Sequence, residues 1–313
     1  MDILLQITLT CTTLYALDQA GVPDFDVGGM ENWGMILYRE ASLLYEPGVS
    51  SADVKRSGAA VVSHELAHMI FGDLVTCKWW DDAWLNEGFA RFFQYEILNS
   101  VEGTSVWNLG PLFSYWVVRE AMQRDAYNTS HPLYDPSVIT LSDIDDIFDA
   151  VTYTKGASIL HMVKGTMGRD TFYSAIRKYV AEFRMKNVVH QDLFKHLSAE
   201  PVPGTGSVDF NNALKTWVEE SGYPVIKLTR LNGTGPDSAT TGSQIRFQQT
   251  RFLMRTGATR ASHFDRIWHI PLTLTSGENG AIGGPTPSGQ YKVCWIKTKE
   301  GKVKKARKKC IST

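Results

Sequence analysis

The pentapeptide His64-Glu65-Leu66-Ala67-His68 sets two imidazoles four residues apart, and Glu87 follows after eighteen intervening residues. On a helix, positions i and i+4 share a face, so both rings could bind one metal ion. A carboxylate from the next helix would complete three protein ligands and leave a fourth position for water, the arrangement of a catalytic site holding one Zn2+ ion. Glu65, between the two histidines, could take a proton from that water. A bare H-E-x-x-H run also occurs by chance on ordinary helices. Glu87, within Asn86-Glu87-Gly88-Phe89-Ala90, is what turns the pattern into a ligand set.

Hydrolysis at such a centre also needs a donor for the oxyanion and a group that holds the substrate. Asp73, Asp81 and Asp82 are candidates to orient the imidazoles, and the sequence does not choose among them. His131, His161, His190, His196, His263 and His269 show no ligand spacing. Cys77 reads as a buried thiol, and the aromatic run Phe89 to Tyr95 as core.

The elements that must position these residues can be read in outline. Ser50-x-x-Asp53 starts a helix that continues through Ala59 to Phe71 and ends at Gly72. A second runs from Asp82 to Asn99. Further helices are expected over Thr104–Arg124, Thr154–Met167, Arg169–Met185, Val189–Ala199 and Val208–Glu220. Val22 to Arg39 reads as short extended segments broken by Pro23, Gly28, Gly29 and Gly34. From Gly222-Tyr223-Pro224 the texture changes to short alternating runs such as Val225–Leu228, Ile245–Phe247 and Ile270–Leu274, which predict antiparallel strands in a small β-sandwich. Residues 1–221 therefore form a mostly helical domain and 222–296 a β-sandwich domain, an α+β chain. In the basic tail of 297–313, eight of the thirteen residues from Lys297 to Lys309 are Lys or Arg.

With 313 residues, 43% hydrophobic and a net charge of -1, the chain has room for real cores, and nothing in its charge points to nucleic acid. No run approaches the ~20 apolar residues of a membrane span. Met1 to Leu17 reads as a strand leading into the domain, since Asp2 and the lack of Lys or Arg are wrong for a signal peptide. Four scattered cysteines do not make a disulfide framework, though Cys294 and Cys310 could pair. Sequons at Asn128 and Asn232 tilt weakly towards an extracellular setting.

Gly28-Gly29-Met30-Glu31-Asn32-Trp33-Gly34 resembles the G-x-M-E-N exopeptidase motif of the M1 (gluzincin) zinc aminopeptidases. His64 to His68 and Trp79-Trp80-Asp81-Asp82-Ala83-Trp84-Leu85-Asn86-Glu87-Gly88 are similar to that family's two zinc helices. Tyr153-Thr154-Lys155-Gly156-Ala157 resembles its catalytic-tyrosine segment, and Gly222-Tyr223-Pro224 the start of its β-sandwich. The resemblance runs from about Leu17 to Leu274 and looks like the membrane-aminopeptidase branch.

It implies a thermolysin-like catalytic domain that hydrolyses the N-terminal bond of peptides through a zinc-activated water. His64, His68 and Glu87 would be the ligands and Glu65 the base. Tyr153 would donate to the oxyanion, and Glu31 would hold the free α-amine of the substrate. Gly28, Gly29, Met30 and Asn32 would run beside the bound peptide like an added strand. A plasma-membrane or extracellular setting, with any membrane association made through a segment outside this sequence, is implied too. Neither residues nor resemblance bear on oligomeric state.

Three departures stand out. Met69-Ile70-Phe71-Gly72-Asp73 replaces the family's usual Gln-Trp-Phe-Gly-Asn. Gly29 replaces the commoner Ala, as in the leukotriene A4 hydrolase branch. The family's N-terminal β-domain and the C-terminal helical domain of many members are not in this sequence, so the chain reads as a catalytic core with its surround incomplete. The alternatives are a leukotriene A4 hydrolase-type epoxide hydrolase and a non-catalytic zinc- and peptide-binding remnant.

Overall fold

The computed structural model describes residues 16–101, 104, 107–202, 208–231, 244–254, 266–274, 292–305 and 310–312. The expected strand over Met1–Leu17 falls almost wholly outside the described residues, as does the pairing of the Cys294 and Cys310 side chains.

The chain opens on a small sheet of β1 (Asp18–Val22), β2 (Gly29–Met30) and β3 (Met35–Arg39). β3 is central, parallel to β1 and antiparallel to β2. Its alternation buries Ile36 and Tyr38 and exposes Met35 and Arg39, the period-2 signature of a half-buried strand. A single turn, α1 (Glu40–Leu43), leads to α2 (Ala52–His68). Ser51 caps α2, its hydroxyl accepting the amide hydrogen of Val54 at 3.2 Å.

The helix ends at His68 rather than running on to Phe71. Met69 and Ile70 turn, and Gly72 sits at φ +136°, a conformation that favours glycine. A Cβ on Gly72 would also lie 3.0 Å from His68 Nδ1. The departure of the chain at this point lets the carbonyl of Phe71 face that nitrogen.

A parallel pair, β4 (Val75–Cys77) with β5 (Lys186–Val188), and a 3-10 turn at Trp80–Asp82 bring the chain to α3 (Trp84–Ser100). Most of α3 is buried, Phe89, Phe92 and Phe93 among its core residues, so it is the central helix of the body. The single helix expected over Thr104–Arg124 is instead α4 (Leu109–Phe113), a π turn at Ser114–Val118 and α5 (Arg119–Asp125). Asn108 lies at φ +50°, so a right-handed helix cannot run through it. Then come α6 (Leu141–Ile147), a π turn at Val151–Lys155, α7 (Gly156–Met167), α8 (Arg169–Phe183), α9 (His190–Ala199) and α10 (Phe210–Val218). One apolar core, from Ala67 on α2 through Phe89 and Val163 to Val218, joins α2, α3, α4 and α7–α10, while α6 packs Ile144 and Ile147 in a small separate cluster with Ala83 and Val138.

After Gly222 (φ +89°) the chain becomes strand. β6 (Pro224–Leu231) and β7 (Gln244–Arg251) pair antiparallel, and β8 (Ile270–Leu274) pairs with β9 (Lys292–Ile296). β10 (Glu300–Lys305) and β11 (Cys310–Ser312) extend the first sheet in the order β11-β10-β7-β6, so these two pieces of the basic stretch are strands. Phe247 from one sheet and Ile270 and Ile296 from the other share a buried cluster with Trp268, capped by Trp217 of α10. The chain is α+β, helical first and strand-rich last.

Candidate metal centre

His64 and His68 leave α2 on one face, and Glu87 meets them from the first turn of α3. The three facing atoms form a tight triangle: His64 Nε2 to His68 Nε2 is 3.1 Å, His68 Nε2 to Glu87 Oε2 3.2 Å, and His64 Nε2 to Glu87 Oε2 3.3 Å. A tetrahedral zinc ion with bonds of about 2.0–2.1 Å sets its ligand atoms roughly 3.3 Å apart, so the donor set fits.

The protons argue the same way. His68 Nδ1 lies 2.9 Å from the carbonyl of Phe71, which can only accept, so Nδ1 carries the hydrogen. With Nδ1 so occupied, Nε2 is the atom that faces a carboxylate oxygen and a second imidazole, a place for either a proton or a metal ion. Burial by itself would lower the His68 pKa. Glu87, Glu31 and Glu65 outweigh it and drive it up to about 10, so the cluster attracts positive charge. Glu87 is held well below the ordinary carboxylate range: its burial, which would raise it, is overcome by His68 and His64.

Of the remaining residues expected at the site, Gly28, Gly29, Glu65 and Tyr153 line the cleft beside His64, whereas Met30, Glu31 and Asn32 do not. Glu65 lies in the same cleft, its pKa raised to about 8 by burial and by the carboxylates of Glu31 and Glu87 against the opposing pull of His68. A Cβ on Gly29 would run into the Glu65 side chain, so the glycine lets this carboxylate lie against the β2 backbone. Glu31 reaches within 3.7 Å of His68 Nδ1. Gly28 and Gly29 line the cleft, and β2 is an edge strand. Met30 is partly exposed, and the Asn32 amide turns back to the Met30 carbonyl at 3.5 Å.

Tyr153 comes from the π turn and stacks on His64, ring centroids 5.9 Å apart. Burial first, then the charges of Glu87 and Glu31, hold its hydroxyl protonated well above the ordinary tyrosine range. Two neighbours in sequence place it. Gly156 meets Gly88 of α3 backbone to backbone: a Cβ on either would come 2.9 Å from the other's Cα. Lys155 is buried, pairing with Asp125 at 2.8 Å and donating to the carbonyls of Glu220 (3.1 Å) and Gly222 (3.3 Å). The sequence points to the tyrosine and not to these two fasteners. The Gly88 and Gly156 pair becomes visible only when the two helices are seen to cross.

Among the described residues no carboxylate of the three aspartates considered for orienting the imidazoles bonds the His64 or His68 ring, although the Asp73 backbone N–H donates to the His68 carbonyl at 3.0 Å. Asp82 instead holds the buried His190 (2.8 Å) and the Trp84 indole (3.1 Å). Asp73 is pushed up to about 7 by burial and by Glu31. Cys77 is a free, buried thiol pushed up to about 12 by burial and then by Asp82. Tyr95, at the end of the aromatic run, departs from the expectation of core alone, because it also lines the cleft.

Two packed helices thus bring together three side chains that could hold a metal ion, with Glu65 and Tyr153 lining the cleft beside His64. Residues 9–217 match the peptidase family M1 domain, and the chain belongs to that family. It is 37% identical over 273 residues to aminopeptidase N of Oryctolagus cuniculus, covering 85% of this chain and 26% of that protein. With aminopeptidase Ey of Gallus gallus it is 37% identical over 267 residues (82% and 26%). With membrane alanyl aminopeptidase of Manduca sexta it is 35% identical over 264 residues (83% and 25%). The chain thus spans about a quarter of the length of these relatives.

Proposed function

We propose that the chain acts as a zinc aminopeptidase, removing single residues from peptides with a free N-terminus. The observation that carries this reading is the convergence of His64, His68 and Glu87 by their acceptor atoms, beside Glu65 and Tyr153. When bound, zinc supplies the Lewis acidity that makes water nucleophilic near neutral pH and polarises the scissile carbonyl. Glu65 takes the proton of the attacking water and passes it to the leaving amine. Tyr153 donates its hydroxyl to the developing oxyanion. Glu31 accepts the substrate ammonium, a charge-assisted contact that makes the enzyme count from the N-terminus. The open edge of β2 receives the peptide as an added strand.

The α+β arrangement agrees with a thermolysin-like catalytic domain over 1–221 followed by a β-sandwich, and the name membrane alanyl aminopeptidase of one relative supports a membrane setting. No helix of the described residues is long and apolar enough to cross a membrane.

The test is metal analysis together with an alanyl-amide assay. Glu65→Gln is expected to keep one zinc per chain and to lose about 10²- to 10⁴-fold in turnover, the usual worth of a general base. Normal turnover in that variant sinks the mechanism. Stoichiometric zinc without any turnover in the parent chain identifies the site as a zinc- and peptide-binding remnant instead.

A further inference from the structure

The cleft beside His64 and Glu65 has a volume of about 670 Å³. From His64 it follows α2 back through Val61, Ala60 and Ser57 to Asp53, with Arg91, Gln94, Tyr95 and Leu98 of α3 opposite. Glu31, the proposed amine holder, stands at the other end of the triangle, 3.7 Å from His68. If the substrate amine lies by Glu31, the part of the peptide beyond the scissile bond must fill this cleft. What lines it therefore reads the leaving side of the substrate.

Half of the lining residues are aliphatic or aromatic, and two guanidiniums, Arg56 and Arg91, stand among the polar ones. Arg56 is already answered by Asp53 at 2.7 Å. Arg91 has no carboxylate partner among the described residues. One of its NH2 groups donates to Gln94 Oε1 at 3.0 Å, and its guanidinium lies 5.8 Å over the Tyr95 ring. Its Nε is buried with no hydrogen-bond partner. That nitrogen is out of reach of anything in the cleft, but Arg91 itself lines the cleft, so its terminal NH2 groups are what a ligand there would meet, and a carboxylate would give this cation the counter-charge it lacks among the described residues. Arg91 stands four residues after Glu87 on the same face of α3, one turn or about 5.4 Å further along. An extended peptide advances about 3.3–3.6 Å per residue, so this places Arg91 one to two residues past the scissile carbonyl.

We propose that Arg91 is a specificity-determining residue that binds a carboxylate one or two residues beyond the scissile bond. That carboxylate is either the C-terminus of a di- or tripeptide or an acidic side chain at the same depth. The inference rests on the aminopeptidase reading for the direction of the peptide. Guanidinium and carboxylate match in a planar, two-bonded fork, which an amide or a lysine cannot reproduce.

Binding tests this without turnover. In the zinc-loaded full chain carrying Glu65→Gln, calorimetry compares Ala-Ala-Ala with its C-terminal amide, and Ala-Asp-Ala amide with Ala-Asn-Ala amide. In at least one pair the carboxylate peptide is expected to bind about 10- to 100-fold more tightly, the worth of a hydrogen bond to a charged group. The pair that shows it identifies the source. Adding Arg91→Gln should bring the two members of that pair within about twofold, and Arg91→Lys should keep part of the difference. Equal binding within both pairs, a preference that survives Arg91→Gln, or no binding by any of the four peptides overturns the proposal. Turnover of alanyl amide by the parent chain is scored separately, so loss of the aminopeptidase reading and loss of the Arg91 assignment give different results.

Discussion

Two glycines on one helix should respond oppositely to the same substitution. Gly156 opens α7 and faces Gly88 of α3; a methyl at position 156 would meet the Gly88 Cα at 2.9 Å and the Trp84 side chain at 3.5 Å. The close atom is backbone, so relief requires α3 and α7 to part by several tenths of an ångström. Such overpacking costs about 1–3 kcal/mol. Replacing glycine by alanine inside a helix recovers about 0.5–1 kcal/mol, so Gly156→Ala should lose about 1–2 kcal/mol net.

Gly165 lies on the same helix and is exposed, and a methyl there would meet nothing within 4 Å. Gly165→Ala should therefore gain the propensity term alone, about 0.5–1 kcal/mol. For a body of this size, 1 kcal/mol moves Tm by about 2–4 °C, so the two variants should separate by roughly 3–12 °C on either side of the parent. Calorimetry or urea unfolding with matched buffers reads the sign directly. The separation also reaches function, since it shifts Tyr153 relative to Glu87. A displacement of about 1 Å in a reacting group can cost 10²-fold in rate. If Gly156→Ala is as stable as Gly165→Ala, the helices do not meet through these glycines and the placement of Tyr153 loses its explanation.

Other outcomes follow from the same contacts. Lys155→Met leaves Asp125 buried without its cation and should cost about 3–5 kcal/mol, while Lys155→Met with Asp125→Leu should recover part of that loss in urea unfolding. Asp149 is held down to about 2 against its burial, by His131 (3.1 Å) and Arg124 (2.9 Å), and His131 is raised by the same contact against its own burial. The carboxylate's contribution is present above its unfolded value near 3.8 and lost as pH falls through about 2. The imidazole's contribution is full below about 6.5 and lost as pH rises through its folded value. Asp149→Asn should thus cost most between pH 4 and 6.5, about 2 kcal/mol at pH 5.5, and little at pH 2; a flat pH profile of the difference refutes the pairing. Chelation of the metal should lower Tm, because a ligand at about 100 times its Kd adds roughly 2.7 kcal/mol to the folded state. The shift should disappear in a His64→Ala, His68→Ala double variant.

The ligand set was legible in the sequence because α-helical periodicity is local: residues at i and i+4 share a face whatever the rest of the chain does. The same locality made the helices of the body readable, as well as the change to strands after Gly222. It misled where a non-local contact or a single dihedral decided. α2 stops at His68 because Gly72 turns the chain so that Phe71 can fix the imidazole proton, and the helix expected over Thr104–Arg124 is interrupted where Asn108 turns left-handed. Two pairs of letters separated by 68 and 30 residues, Gly88 with Gly156 and Asp125 with Lys155, carry no pattern of their own, yet they set the tyrosine against the metal ligands. Arg91 is the clearest case. In sequence it is one more charge on an amphipathic helix; only the packing of α3 against α2 sets it in the cleft lining without a carboxylate partner among the described residues. Chemistry that lies within one turn of helix is written in the order of residues, whereas chemistry that needs two elements at a set distance exists only once burial has brought them together.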